Sequence, residues 1–273
     1  MFEYDRLAPL EAEVSEVETQ ARGALFDLSY RVDGNSERTH GWLIVPSRSN
    51  SVPIVIFLHG GAQDRGACLA EAWLLADRGI GSLLVDLPQA RSFPDFTHPS
   101  KDQHTFSQTV ISAMRGLDYL ASRPDFDVNQ AAIVGFSFGA WIGSALAAED
   151  ARLKLAILVA GAPRMSEFWR TNPDPLVIGI RRDLSPGVFA DYIEASQPLD
   201  AVRFLGRCSN TRLFFQCGAE DQLVPAEQAQ EFAPYATGLN LLRMYDSATH
   251  LQMFFHSGAR EDRVSWLETQ LPL

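Results

Sequence analysis

A chain of 273 residues with 46% hydrophobic and 21% charged residues has the composition of an ordinary globular protein: room for one large α/β unit or two small domains, and too apolar for bulk disorder. Its 23 Lys and Arg against 34 Asp and Glu leave a net charge of −11, which repels phosphate backbones and anionic lipid and excludes polyanion binding as a first reading. No apolar run approaches the roughly 18 residues of a membrane span. The acidic N-terminus, with Arg6 its one base before residue 20, is the reverse of a secretory or transit leader. Cys68, Cys208 and Cys217 form an odd set without C-x-x-C spacing, so neither a disulfide framework nor a zinc site is expected. The expectation is a cytoplasmic protein with free thiols, no metal, and neither nucleic acid nor membrane as partner.

Along the chain, short apolar runs alternate with amphipathic stretches. Residues 24–32 and 40–45, joined by Asp33-Gly34-Asn35-Ser36, read as an antiparallel hairpin. In 52–59, Val55-Ile56-Phe57-Leu58 is continuously apolar, as a strand covered on both faces must be. A helix over 69–78 stops at Gly79. A strand over 81–87 then enters a long loop, to about residue 102, with Pro88, Phe93, Pro94, Phe96, His98 and Pro99. A helix over 105–123, a strand over 131–135, a helix from about residue 138 and a strand over 155–160 follow. Residues 161–210, with Pro163, Pro173, Pro175, Pro186 and Pro198, break the alternation and read as a small helical cap inserted into a single domain, 1–273. The sheet resumes at 212–216, followed by a helix over 226–232, a strand over 240–245 and a closing helix over 260–270. Right-handed crossovers turn this series into an eight-stranded, mostly parallel twisted sheet flanked by helices, an α/β fold.

The strongest chemical signal is Gly135-Phe136-Ser137-Phe138-Gly139, set between the apolar Ala131-Ala132-Ile133-Val134 and a helix-compatible stretch. So tight a turn leaves the central residue with strained backbone angles and requires glycine at the flanks. Ser137 is thereby held out at the carboxyl end of the sheet, beside a helix N-terminus that favours developing negative charge. A serine hydroxyl needs a base, normally an imidazole oriented by a carboxylate. Downstream of Ser137 the histidines are His250 and His256. His250 follows a strand by one short polar loop and is the better placed base, whereas His256 reads as structural. Asp221, at the end of the 212–216 strand, is the expected carboxylate; Glu220 is the alternative, and a helix N-cap is the non-catalytic reading of Asp221.

Oxyanion donors come most simply from backbone amides. Phe138, directly after the serine, supplies one, and His59-Gly60-Gly61 supplies the second, with Gly61 favoured and Gly60 and Ala62 left open. His59 itself reads as structural, its ring bonded to loop backbone. The cap aromatics Phe168, Trp169, Phe189, Tyr192 and Phe204 either line a substrate pocket or hold the cap to the sheet. Asp95, His98, Asp102 and His104 match no metal-ligand spacing, and there is no nucleotide-binding glycine motif.

The order Ser137, Asp221, His250, with His-Gly-Gly at 59–61 and the serine pentapeptide at 135–139, resembles the α/β-hydrolase superfamily. More narrowly, His59-Gly60-Gly61, Ala76-Asp77-Arg78-Gly79-Ile80 leading to Leu84-Val85-Asp86, and Gly218-Ala219-Glu220-Asp221-Gln222-Leu223-Val224-Pro225 resemble the dienelactone-hydrolase-like and prolyl-oligopeptidase-like esterases, over about residues 24–270. Dienelactone hydrolases carry cysteine at the nucleophile and haloalkane dehalogenases aspartate, where this chain has Ser137. The resemblance implies a serine hydrolase of carboxylic esters acting without cofactor, and the expected cap, residues 161–210, suits a small to medium ester better than a polymer. Peptidase, thioesterase and carbon–carbon hydrolase remain alternatives on the same triad, and a non-catalytic ligand-binding homologue is the alternative of another class. Trp141, Trp169 and Trp266 serve either core or interface, which leaves a homo-oligomer open.

Overall fold

The computed structural model describes residues 2–32, 38–47, 51–87 and 94–271. Among these, nine strands form one sheet in the order β1-β2-β3-β5-β4-β6-β7-β8-β9. The first three, β1 (Glu13–Gln20), β2 (Gly23–Arg31) and β3 (Arg38–Pro46), are antiparallel neighbours, and β3 also runs antiparallel to β5 (Gly81–Val85). From β4 (Val52–Leu58) through β6 (Phe126–Phe136), β7 (Leu153–Val159), β8 (Arg212–Gly218) and β9 (Leu241–Tyr245) every pairing is parallel. The turn expected at 33–36, like Pro88 and Phe93 of the long loop, lies outside the described residues.

The sequence predicts eight strands, and the ninth is β1. It carries Glu13, Glu16 and Glu18, is exposed along nearly its whole length and has a register shift between Glu16 and Glu18. An outer strand with no face to bury shows no apolar alternation, and its carboxylates and bulge blunt the open edge against pairing with another chain.

The inner strands divide their side chains by period two. Ile54, Ile56 and Leu58 of β4 join a core with α2 (Pro99–Ala121) and α3 (Phe138–Glu149), whereas Val55 and Phe57 point to the opposite face, among residues of α1 (Leu69–Ala76) and α10 (Ser257–Gln270). Both faces are covered, which is why β4 is continuously apolar and wholly buried. Helix α2 begins at Pro99, earlier than the predicted 105, because proline suits a first helical turn.

Between β7 and β8, residues 161–210 hold four helices: α4 (Met165–Thr171), α5 (Pro175–Asp183), α6 (Pro186–Ser196) and α7 (Ala201–Leu205). Pro175 and Pro186 open α5 and α6, whose N-caps Asp174 and Ser185 accept from the amides of Leu176 and Val188. Two of the five prolines that mark this stretch as irregular in sequence are thus α-helix starts. The Trp141 indole donates to the Leu199 carbonyl, tying α3 to these helices. After β8, the predicted helix over 226–232 is a short α8 (Ala226–Ala229) continued as a 3-10 segment, and α9 (Gln252–Phe255) precedes α10. No helix among the described residues is long and apolar enough to cross a membrane.

Chain progression reverses at β4, which lies between β5 and β6. A crevice forms at such a switch point, outside the carboxyl ends of the strands. The loop after β4 and the turn after β6 meet there.

Candidate active site

Ser137 occupies the single position between β6 and α3, with φ 50° and ψ −109°. A β-carbon-bearing residue in this region stores on the order of 1–3 kcal/mol of strain, which the surroundings must hold in place. They do so by close backbone packing: a Cβ on Gly135 would lie 2.3 Å from the Gly139 carbonyl oxygen, and one on Gly139 would lie 2.1 Å from that of Leu58. The Ser137 amide donates to the Val159 carbonyl at 2.8 Å, anchoring the turn to β7.

Asp221 and His250 come from the loops after β8 and β9, and these loops are laced to each other. Ala219 donates to the carbonyl of Tyr245 and Glu220 to that of Ala248. Glycine at 218 permits the approach, since a Cβ there would sit 2.2 Å from Ala248 O. Asp221 is buried; its Oδ1 accepts the amides of Leu223 (2.9 Å) and Val224 (2.8 Å), which leaves Oδ2 for His250 Nδ1 at 2.8 Å. A carboxylate only accepts, so Nδ1 carries the proton and Nε2 is an acceptor for the Ser137 hydroxyl, 2.9 Å away. The structure thus brings Ser137, Asp221 and His250 into one hydrogen-bonded line. Glu220 is exposed, and His256 Nδ1 accepts from the Ala259 amide as the N-cap of α10.

The loop after β4 is held by His59 and Gln63. Leu87 N donates to His59 Nε2 at 2.8 Å, so the other ring nitrogen bears the proton and donates to Gly60 O at 2.7 Å, the structural role read from sequence. The Gly60 amide is committed to Gln63 Oε1 at 3.1 Å. Gly61, by contrast, lines the cavity above Ser137 together with Phe138. Gln63, which sets this difference between the two glycines, carries no motif that would single it out.

That cavity has a volume of about 170 Å³ and an apolar wall of Ala162, Met165, Phe168, Trp169, Leu223 and Val224. Of the aromatic residues singled out in 161–210, Phe168 and Trp169 line the cavity. Tyr192 does not line the cavity and is corrected to a tie between elements: it is buried and its hydroxyl donates to Asp102 Oδ2 at 2.9 Å, joining α6 to α2. Phe204 stacks on Phe106 instead, and Phe189 packs against the core. Met165, Leu223 and Val224 are pocket residues that sequence patterning leaves unmarked as such, since an apolar residue in a cap helix or loop reads the same whether it faces core or ligand. Among the described residues no three potential metal ligands converge.

The family model described as "Alpha/beta hydrolase family" matches residues 55–271 of this chain. Among solved structures, the acetyl xylan esterase from Paenibacillus sp. R4 superposes with a TM-score of 0.77 at 20% identity, over 94% of this chain and 89% of that one. Acetyl xylan esterase 1 from Thermoanaerobacterium sp. JW/SL YS485 gives 0.79 at 14% identity, over 98% and 90%. Acylaminoacyl peptidase from Pyrococcus horikoshii gives 0.69 at 16% identity, over 97% of this chain but 42% of that one. At these identities the likeness is one of fold. No curated protein sequence matches the chain.

Proposed function

Because the chain belongs to the alpha/beta hydrolase family, we propose that it is a serine hydrolase that cleaves small to medium carboxylic esters through an acyl-enzyme. The observation that carries this reading is the line from Ser137 Oγ through His250 to Asp221, at 2.9 and 2.8 Å. As Ser137 Oγ attacks the ester carbonyl, its proton passes to His250 Nε2. The carbonyl π electrons move onto oxygen, and the amides of Gly61 and Phe138 receive that charge, each donor contributing about 3–4 kcal/mol. Collapse of the tetrahedral adduct expels the alcohol, which takes the proton from the imidazolium. Water, deprotonated by the same imidazole, then releases the acid and restores Ser137. Asp221 holds the Nδ1–H tautomer and stabilises the imidazolium without itself taking the proton.

The apolar wall beside Ser137 suits a short hydrocarbon acyl group, and it offers no fixed charge to a polar one. The test combines covalent labelling with a substrate series. A fluorophosphonate probe should label the wild type and fail to label Ser137→Ala and His250→Ala. Among p-nitrophenyl esters of graded length, peptide amides and thioesters, kcat/KM should be highest for short soluble esters. A folded wild type that takes no label, or one that acts on long-chain emulsions and ignores short esters, would overturn the reading.

A further inference from the structure

The loop that carries Gly61, the serine turn and the histidine loop come from three distant parts of the chain, and one side chain touches all three. Phe254 lies in α9, four residues after His250. Its ring stacks on Phe136, the residue before Ser137, with centroids 5.1 Å apart and planes at 20°. It meets the His250 imidazole edge-on, 6.3 Å between centroids and 67° between planes. Its far edge presses on the loop after β4: a Cβ on Gly60 would lie 2.7 Å from Phe254 Cζ and 3.1 Å from Cε1.

The last contact explains a glycine. Gly60 is not among the residues of the described chain with left-handed φ, so its backbone alone does not demand glycine. Space does. Gly60 is pinned on its polar side by Gln63 Oε1 and by the His59 ring, and on the other by the phenyl edge. The ring in turn has little freedom to retreat, because Phe136 backs it and α9 is fastened to the histidine loop. Met253 N donates to Thr249 O at 3.1 Å, Phe254 N to Leu251 O at 3.3 Å and Thr249 N to Gln252 Oε1 at 2.9 Å.

We propose that Phe254 is a positioning residue for the reaction above: its ring is a wedge that fixes the Gly61 amide relative to Ser137 and His250, and the missing side chain of Gly60 is the matching half of that contact. This rests on the reading given under Proposed function. Phe254 acts through the loop, the turn and the imidazole that it touches. An oxyanion donor acts only within a narrow distance of the developing charge, and a displacement of about 1 Å costs on the order of 100-fold in rate. Loss of the wedge should therefore lower kcat while leaving KM, set largely by the apolar wall on the cap side, nearly unchanged.

A double-mutant cycle tests the pair. Gly60→Ala drives a methyl into the ring and should lower kcat on a short p-nitrophenyl ester, and the rate of fluorophosphonate labelling, by about 10- to 100-fold. Phe254→Leu removes Cε and Cζ and should lower both by about tenfold with thermal unfolding little changed. The double variant should be faster than Gly60→Ala alone, because the clash is gone. Losses that simply multiply in the double variant, or a Phe254→Leu enzyme that unfolds earlier yet keeps wild-type kcat and labelling below its Tm, would overturn the proposal while leaving the serine mechanism standing. If Gly60→Ala does not fold, recovery of folding and labelling in the double variant still supports the pair, and no recovery counts against it. A wild type that neither labels nor turns over esters overturns both readings.

Discussion

Glu220 and Asp221 are adjacent carboxylates with opposite surroundings. Glu220 is exposed, and what it contributes to the fold is its backbone amide, given to Ala248. Asp221 is buried, with one oxygen saturated by two amides and the other on His250. Asp221→Asn should lower kcat about 10⁴-fold, because an amide turned toward Nδ1 favours the wrong imidazole tautomer. Glu220→Gln should change kcat by less than about twofold, as an exposed side chain outside the hydrogen-bonded line. Steady-state kinetics on one short ester decides it, and equal losses in the two variants would remove Asp221 from its proposed role. At this scale the sequence is informative because the constraints are local. Gly135 and Gly139 flank Ser137 since backbone atoms crowd both, and His250 follows the last strand by a loop too short to place it elsewhere. The difference between Gly60 and Gly61 is less legible, since it turns on Gln63 folding back to take the Gly60 amide, a contact that no spacing encodes.

Elements were readable in proportion to how much apolar surface they bury. Strand β4 is buried throughout and its apolar run is evident in the sequence; β1 buries almost nothing and has no such mark. The helices of 161–210 show the same limit, because Tyr192 and Trp169 are both aromatic residues of such helices, yet one ties α6 to α2 and the other lines the cavity. The Tyr192 contact carries its own prediction. Asp102 lies in the first turn of α2, and its Oδ2 accepts from both Tyr192 Oη and the Asp95 amide. Burial nevertheless pushes its carboxyl above the ordinary range, outweighing these hydrogen bonds and nearby Lys101, while the Asp95 charge adds to the rise. Between the ordinary value of about 3.9 and the raised native one, the folded state binds more protons than the unfolded state. Stability from this group therefore falls as pH rises through that window and is flat above it. Asp102→Asn keeps an acceptor for both donors and removes the charge. The stability of the variant relative to wild type, from urea midpoints between pH 4 and 7, should rise with pH across the window and then level off. A relative stability that falls with rising pH would mean that the native site favours the carboxylate, contrary to the sign argued here.

For the molecule as a whole, the site depends on the two loops after β8 and β9 being held against the turn after β6, and the far side of the sheet supplies part of that hold. Arg263 of α10 is fully buried. It donates to both oxygens of Glu71 on α1, at 3.0 and 2.6 Å, and to Gln216 Oε1 on β8 at 3.0 Å. Its guanidinium carbon also lies 5.0 Å from the centroid of Phe136, next to Ser137. Nothing in the sequence joins residues 71 and 263, since a Glu in one amphipathic helix and an Arg in another look like two solvent-facing charges until the sheet brings them together. A buried two-point ion pair is a weak source of net stability, because desolvation offsets most of the attraction, yet it is costly to break from one side. Glu71→Ala leaves a buried guanidinium uncompensated and should lose about 3–5 kcal/mol, against a total of roughly 5–15 kcal/mol for a typical domain, with Tm lower by on the order of 10 °C. Glu71→Met with Arg263→Met removes both charges. Gln216 Nε2 keeps its bonds to Tyr245 and Ala259, so the double variant should be more stable than Glu71→Ala. Urea unfolding of the three proteins at neutral pH measures the order. If the double variant is the least stable, the contacts of Arg263 with Gln216 and Phe136 outweigh its pairing with Glu71, and α10 is held to the sheet through β8 and β6 more than through α1.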